Sequence, residues 1–224
     1  MISSVEWITF DFYGTLIDWE TGIAAALARF LPPSINRAQL VARYIKLEAE
    51  VERERYRPYR DVLAITSTHL MQQMGYPLPQ GAEGTLPNSL PDWPAFPEVP
   101  STLRSLRAAG HCLAILSNVD RDLLAASVAR LGVTPDLMIT AEDCHSYKPA
   151  QGHWEHFQLV SRAGLDRTLH VAASLYHDII PASQLGYRTV FINRHDEPLT
   201  GATPTWVLSD LSALTELVKH LDDR

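Results

Sequence analysis

The sequence predicts an α/β protein: a Rossmann-like doubly wound parallel sheet carrying an inserted helical cap after its first strand. Three observations predict it. An apolar run, Val5 to Phe10, ends abruptly in Asp11 and a glycine turn. From about Val99 onward, short apolar strand-like runs alternate with helix-like segments, the rhythm of a parallel sheet covered on both faces. Between them, Asp18 to Pro97 holds helical periodicity and no convincing strand. The expected division is a core of residues 1–17 and 98–224 and a cap of residues 18–97 with a proline-rich return linker.

Each element has its own justification. Val5 to Phe10 is the first strand, and Ala24 to Leu31 reads as helix. Gln39 to Arg55 is highly charged, yet Leu40, Val41, Tyr44, Leu47 and Val51 recur at helical spacing and give it one apolar face. Val62 to Met74 is a second cap helix, stopped by Gly75 and Pro77, and Pro79 to Pro100 reads as irregular. His111 to Leu116 is a strand and Asp122 to Leu131 a helix ended by Gly132. Leu137 to Thr140 is a short strand and Gly152 to Ala163 a helix ended by Gly164. Thr168 to Ala173 and Thr189 to Asn193 are strands flanking a helix around Ile179 to Leu185. Trp206 to Leu208 is the last strand, and Leu211 to Leu221 a helix started by Ser209 or Asp210.

The 224 residues are 46% hydrophobic, enough for a substantial core, and the formal net charge is -7. Lys and Arg are scattered, so neither nucleic acid nor an anionic membrane surface is expected as a partner. No apolar run approaches the roughly 20 residues of a membrane helix, and no charged-then-apolar leader is evident. Cys112 and Cys144 lack the spacing of a redox or zinc motif. A cytoplasmic protein acting on a small molecule is the expectation.

Ligands of open parallel sheets bind beyond the carboxyl ends of the strands. Those ends collect Asp11 to Thr15, then Ser117-Asn118, then Tyr147-Lys148-Pro149, then Ser174 and Asp178. Each alone has an ordinary explanation as a helix cap or turn; Asp11 itself could cap the helix that follows it. Their succession at four strand ends argues for one crevice, where a carboxylate can act as nucleophile. His153 and His156 lack a third ligand and are expected on a solvated helix face.

The set resembles the haloacid dehalogenase superfamily. Within it, Asp11-Phe12-Tyr13-Gly14-Thr15-Leu16 looks like the L-2-haloacid dehalogenase branch, in which Tyr replaces the second acid of the phosphatases. Leu113-Ala114-Ile115-Leu116-Ser117-Asn118, Tyr147-Lys148-Pro149 and Phe191-Ile192-Asn193-Arg194 are similar to that branch as well. The resemblance implies an aspartyl-ester mechanism: Asp11 attacks C2 of a small 2-substituted carboxylate, and water hydrolyses the ester to a 2-hydroxy acid. Thr15 and Lys148 would orient Asp11, Ser117 and backbone N–H groups near Tyr13 and Asn118 would hold the substrate carboxylate, and Asp178 would assist the water. By resemblance Arg43 would receive the leaving halide, with Asn118 and Tyr59 completing the pocket, and the branch allows a homodimer.

Chemistry at the second position of the motif separates the alternatives. With Tyr13 in place of an acid and Ser174 where the fourth motif would carry one, Asp11 and Asp178 form a poor magnesium site, so no cofactor is expected and magnesium is disfavoured. A weak magnesium-dependent phosphatase and a non-catalytic small-anion-binding protein are the competing readings. Around Asp178 the sequence reads Ala173-Ser174-Leu175-Tyr176-His177, departing from the characterised dehalogenases, and Trp154 stands where the branch has a Tyr; by resemblance these positions line the substrate side of the pocket. Asp18-Trp19-Glu20-Thr21-Gly22 looks similar to a relative that opens azetidine-2-carboxylate, a reaction needing an acid such as His177.

Overall fold

Six parallel strands make one sheet in the order β3-β2-β1-β4-β5-β6. In the computed structural model, which describes residues 4–223, these are β1 (Trp7–Phe10), β2 (Cys112–Ser117), β3 (Leu137–Thr140), β4 (Thr168–Ala172), β5 (Arg188–Ile192) and β6 (Trp206–Leu208). Residues 1–3 and 224, at the outer ends of the expected core segments, lie outside the described residues. The first strand is central, with Phe10 level with Ile115 on one side and Val171 on the other. The chain builds outward from it in both directions, so the topological switch, and with it the crevice, falls at the end of β1.

Strands buried on both faces must be apolar almost throughout. Ile8 and Phe10 face one layer with Leu113, Ile115, Leu103, Leu106, Leu214 and Val218. Ala114, Leu116, Ile139, Trp154 and Phe157 form the other. Each such fully buried Leu, Ile or Phe contributes about 2 kcal/mol of transfer free energy.

The helices follow in chain order: α1 (Trp19–Leu27), α2 (Arg37–Glu54), α3 (Tyr59–Gln73), α4 (Thr85–Ser89), α5 (Val99–Ala108), α6 (Arg121–Val128), α7 (Ala141–Cys144), α8 (Gly152–Ser161), α9 (Ile180–Gln184) and α10 (Leu214–Asp222). The first four are inserted between β1 and α5 and stand over the carboxyl end of the sheet. Asp18, not Asp11, caps α1 by accepting from Thr21 N at 3.0 Å. Asn36 caps α2 in the same way, from Gln39 N at 3.1 Å.

Two local readings need correction. The proline-rich return is not irregular: α4 and a 3₁₀ turn at Leu90–Asp92 occupy it, because proline is tolerated in the first turn of a helix. Gly164 does not end α8; Arg162, in the left-handed region at φ 56°, does.

The inserted helices meet the core through a two-stranded neck. Ile17 pairs with Ala95 in antiparallel fashion, Asp18 N donates to Pro94 O at 2.8 Å, and Phe96 N to Leu16 O at 3.0 Å.

Candidate active site

Asp11 is fixed from several directions. Its N–H donates to Val171 O at 3.1 Å, extending the β1–β4 pairing one residue beyond the strand. The chain then turns at Gly14, whose φ of +93° favours glycine; an added Cβ would also meet the Trp19 ring at 3.1 Å. The turn returns Thr15 so that its hydroxyl donates to Asp11 Oδ2 at 2.7 Å while accepting from Ala173 N at 2.9 Å. Arg194, stacked over Phe96 at 3.6 Å, donates to the Thr15 carbonyl at 2.9 Å and pairs with Glu98 at 2.7 Å.

Lys148 is the hub. Its side chain is buried, and Nζ donates to Asp11 Oδ1 at 2.9 Å, Asp178 Oδ1 at 2.6 Å and Leu116 O at 2.9 Å, using all three of its protons. Asn118 positions it through the main chain, accepting from Lys148 N at 2.7 Å and donating to Lys148 O at 3.1 Å. Burial alone would lower the Lys148 pKa, but Asp11 and Asp178 outweigh it and raise it. Burial would likewise raise the Asp178 carboxyl, but Lys148 and His170 hold it down at about 2.

His170 was not singled out in the sequence. It is fully buried in β4, and Nε2 lies 3.2 Å from Asp178 Oδ1 while Nδ1 lies 2.8 Å from Thr9 Oγ1. A carboxylate only accepts, so Nε2 donates to Asp178, and Nδ1 shares the second hydrogen bond with the threonine hydroxyl. Thr9, His170, Asp178, Lys148, Asp11 and Thr15 are thus one connected chain of hydrogen bonds. A lone histidine inside an apolar strand was the available signal.

A cavity of about 510 Å³ opens above Asp11, between the strand ends and the inserted helices. Tyr13, Trp19, Tyr44, Tyr59 and Trp93 give it aromatic walls, and Glu48 and Glu52 face it from α2. The hydroxyls of Tyr44 and Tyr59 both donate to Glu48 Oε1, at 2.8 and 2.7 Å. Burial raises the Glu48 carboxyl pKa against the opposing effect of those two donors. Burial, and then the charge of Glu48, raise that of Glu52. The start of α3 is held onto the core by Asp120, which accepts from Tyr59 N at 2.7 Å and Arg60 N at 2.9 Å.

Of the residues proposed from sequence, Asp11, Tyr13, Tyr59, Ser117, Asn118, Lys148, Ser174, His177 and Asp178 all line this cavity. Thr15 touches Asp11 directly. Ser174 spends its hydroxyl on His177, whose N–H and Nδ1 both lie 3.1 Å away. Burial lowers the His177 pKa, which disfavours the protonated ring that an acid there would need. The Tyr13 hydroxyl points away from Asp11 to Ser127 Oγ, 3.0 Å away.

Three expectations fail. Arg43 is exposed and off the cavity wall, because the turn of α2 presents Tyr44, Ile45, Glu48, Ala49 and Glu52 there instead. Trp154 is buried beneath the sheet against His170, with ring centroids 5.5 Å apart, and does not reach the cavity. His153 is not on a solvated face: it is fully buried, and its Nε2 donates to Ser117 O at 3.1 Å. Burial and the Lys148 charge lower its pKa to about 4, leaving a neutral ring that braces the Ser117 backbone.

The donor set does not suit magnesium. Lys148 Nζ already bridges Asp11 and Asp178, and Thr15 takes the other Asp11 oxygen. Among the described residues, no group of three or more His, Cys, Asp or Glu side chains is arranged to hold a metal ion. No helix among them is long and apolar enough to cross a membrane.

Residues 5–186 match the family model described as haloacid dehalogenase-like hydrolase. The chain is 30% identical to (S)-2-haloacid dehalogenase of Pseudomonas sp. (strain YL), over 95% of this chain and 94% of that one. It is 27% identical to haloacetate dehalogenase H-2 of Moraxella sp. (strain B), over 97% and 99%. A solved L-2-haloacid dehalogenase superposes with a TM-score of 0.87 at 26% identity, covering 97% of this chain and 100% of its own. The L-2-haloacid dehalogenase from Xanthobacter autotrophicus with chloropropionic acid covalently bound shares the fold, with a TM-score of 0.83 at 20% identity over 96% and 98%.

Proposed function

Because this chain belongs to the haloacid dehalogenase-like hydrolases, we propose that it hydrolyses a bond at C2 of a small carboxylic acid through an aspartyl ester on Asp11, without a metal ion. The observation that carries this reading is the carboxylate at the cavity floor, braced on both oxygens by Thr15 and Lys148.

One Asp11 oxygen attacks C2 from the face opposite the leaving group, which departs with the bonding electron pair. The new C2–O bond makes an ester, and C2 inverts. Water then adds to the side-chain carbonyl carbon of Asp11, the bond from that carbon to the ester oxygen breaks, and the 2-hydroxy acid leaves with the original aspartate oxygen. Overall, one water is consumed and one proton and the leaving anion are released. Ser117 and the N–H groups of Tyr13 and Asn118 hold the substrate carboxylate. Asp178, on the cavity wall beside Lys148, orients the water. Lys148 balances charge on Asp11 through both steps, and the inserted helices act as the cap that excludes bulk water.

A single turnover in ¹⁸O-labelled water tests the mechanism. The first product formed carries unlabelled oxygen at C2, and later products carry label. Label in the first product would mean direct attack by water. Incubation with S-2-chloropropionate, azetidine-2-carboxylate and p-nitrophenyl phosphate, with and without EDTA, tests the class. Phosphate release as the only activity, abolished by EDTA, would sink the carbon-centred reading.

A further inference from the structure

Taking Asp11 as the nucleophile of this cavity, we infer that Glu48 is a specificity-determining residue that receives a cationic nitrogen, so that the preferred substrate is a small carboxylic acid also bearing an ammonium group. The first ground is the construction around Glu48. Tyr44 on α2 and Tyr59 on α3 reach the same oxygen at 2.8 and 2.7 Å, fixing the carboxylate in the cavity wall. Two phenols converging on one acid leave its other oxygen to a ligand. The second ground is the surface around it: Trp19 lies 5.9 Å from Tyr44 between ring centroids, and Trp93 closes the same cavity. Aromatic faces beside a carboxylate favour a cation and disfavour an anion.

The third ground is the charge balance. Around the reacting centre Asp11, Asp178, Glu48 and Glu52 face the cavity, and Lys148 is already bonded to the first two. A simple carboxylate brings no charge that favours ionised Glu48 and Glu52, and a halide leaving toward α2 moves toward two acids. An ammonium group on the substrate offsets both. Burial raises the carboxyl pKa values of Glu48 and Glu52, an effect a bound cation opposes. Arg43, the cation expected to serve this wall, faces solvent.

Calorimetric titration of the intact protein with β-alanine and with propionate tests the inference. The two probes share a three-carbon acid and differ by the ammonium group. Binding of β-alanine is expected to be roughly tenfold or more tighter than that of propionate. Glu48→Gln is expected to lose that preference while still binding propionate, and Glu52→Gln to weaken it. Equal or tighter binding of propionate by the unaltered protein overturns the inference, as does failure of β-alanine to bind. In turnover, 3-amino-2-chloropropionate is expected to exceed 2-chloropropionate in kcat/KM by a similar factor. Binding needs no chemistry, so the two ideas fail separately. Labelled oxygen in the first product removes the nucleophile and leaves the binding result standing. Turnover of 2-chloropropionate without a preference for β-alanine keeps the nucleophile and removes the role of Glu48.

Discussion

Asp11 and Lys148 are coupled so closely that neither can be altered alone without a large effect. Asp11→Asn keeps the shape but removes the proposed nucleophile, and the loss in kcat is expected to be about a thousandfold or more, read by product formation under saturating substrate. Lys148→Met leaves Asp11 and Asp178 facing one another without their shared cation, and removing one partner of a buried ion group costs about 3–5 kcal/mol, measurable by denaturant unfolding. His170 acts one bond further out. It and Lys148 together hold Asp178 at about 2, so His170→Leu is expected to raise that pKa and move the acidic limb of the kcat profile to higher pH. An unchanged limb would confine His170 to packing. Thr15 and Lys148, which touch Asp11, were legible because each follows a strand in the chain and carries a recognisable group. His170 and His153 were not, because their roles come from neighbours across the sheet that no local pattern reveals.

At the level of helices, phase decided what the sequence could convey. Leu40, Tyr44, Leu47 and Val51 mark the buried stripe of α2. Arg43 and Glu48 flank that stripe, and which edge overlooks the cavity depends on how α2 lies on α3, information that spacing lacks. The start of α3 yields a direct test. Asp120→Ala removes the acceptor for two N–H groups of its first turn, at a cost of about 1–2 kcal/mol. A fall in Tm of about 2–8 °C is expected, with a raised KM because Tyr59 lines the cavity. Helix α1 offers a steric test. A Cβ on Gly22 would lie 2.3 Å from the Trp93 ring, so Gly22→Ala is expected to destabilise by about 1–3 kcal/mol in the same unfolding assay. Stability within 0.5 kcal/mol of the parent, a margin typical of surface changes, would show that the ring shifts freely.

Across the whole molecule the parallel sheet was readable, since strands buried on both faces leave unbroken apolar runs. The return segment was misread, because Pro87, Pro91 and Pro100 sit in first turns and not in helix interiors. Acid sensitivity belongs to this scale. Asp178 has a folded-state pKa depressed to about 2, so its contribution to stability is present above about pH 4, the unfolded value, and is lost as pH falls toward 2. The unfolding free energy is expected to decline across that window, with Asp178→Asn showing a shallower decline. The neck at Ile17 and Ala95 has one more consequence. Asp11, Thr15, Ser117, Lys148, His170 and Asp178 all precede or follow it, while Tyr44, Glu48, Glu52 and Tyr59 lie between its two strands. The proposed reaction centre, with the groups that would hold the substrate carboxylate, and the helical wall of the cavity are therefore carried on separable lengths of chain. Recombination at these two positions would graft a different recognition module onto an intact reaction centre.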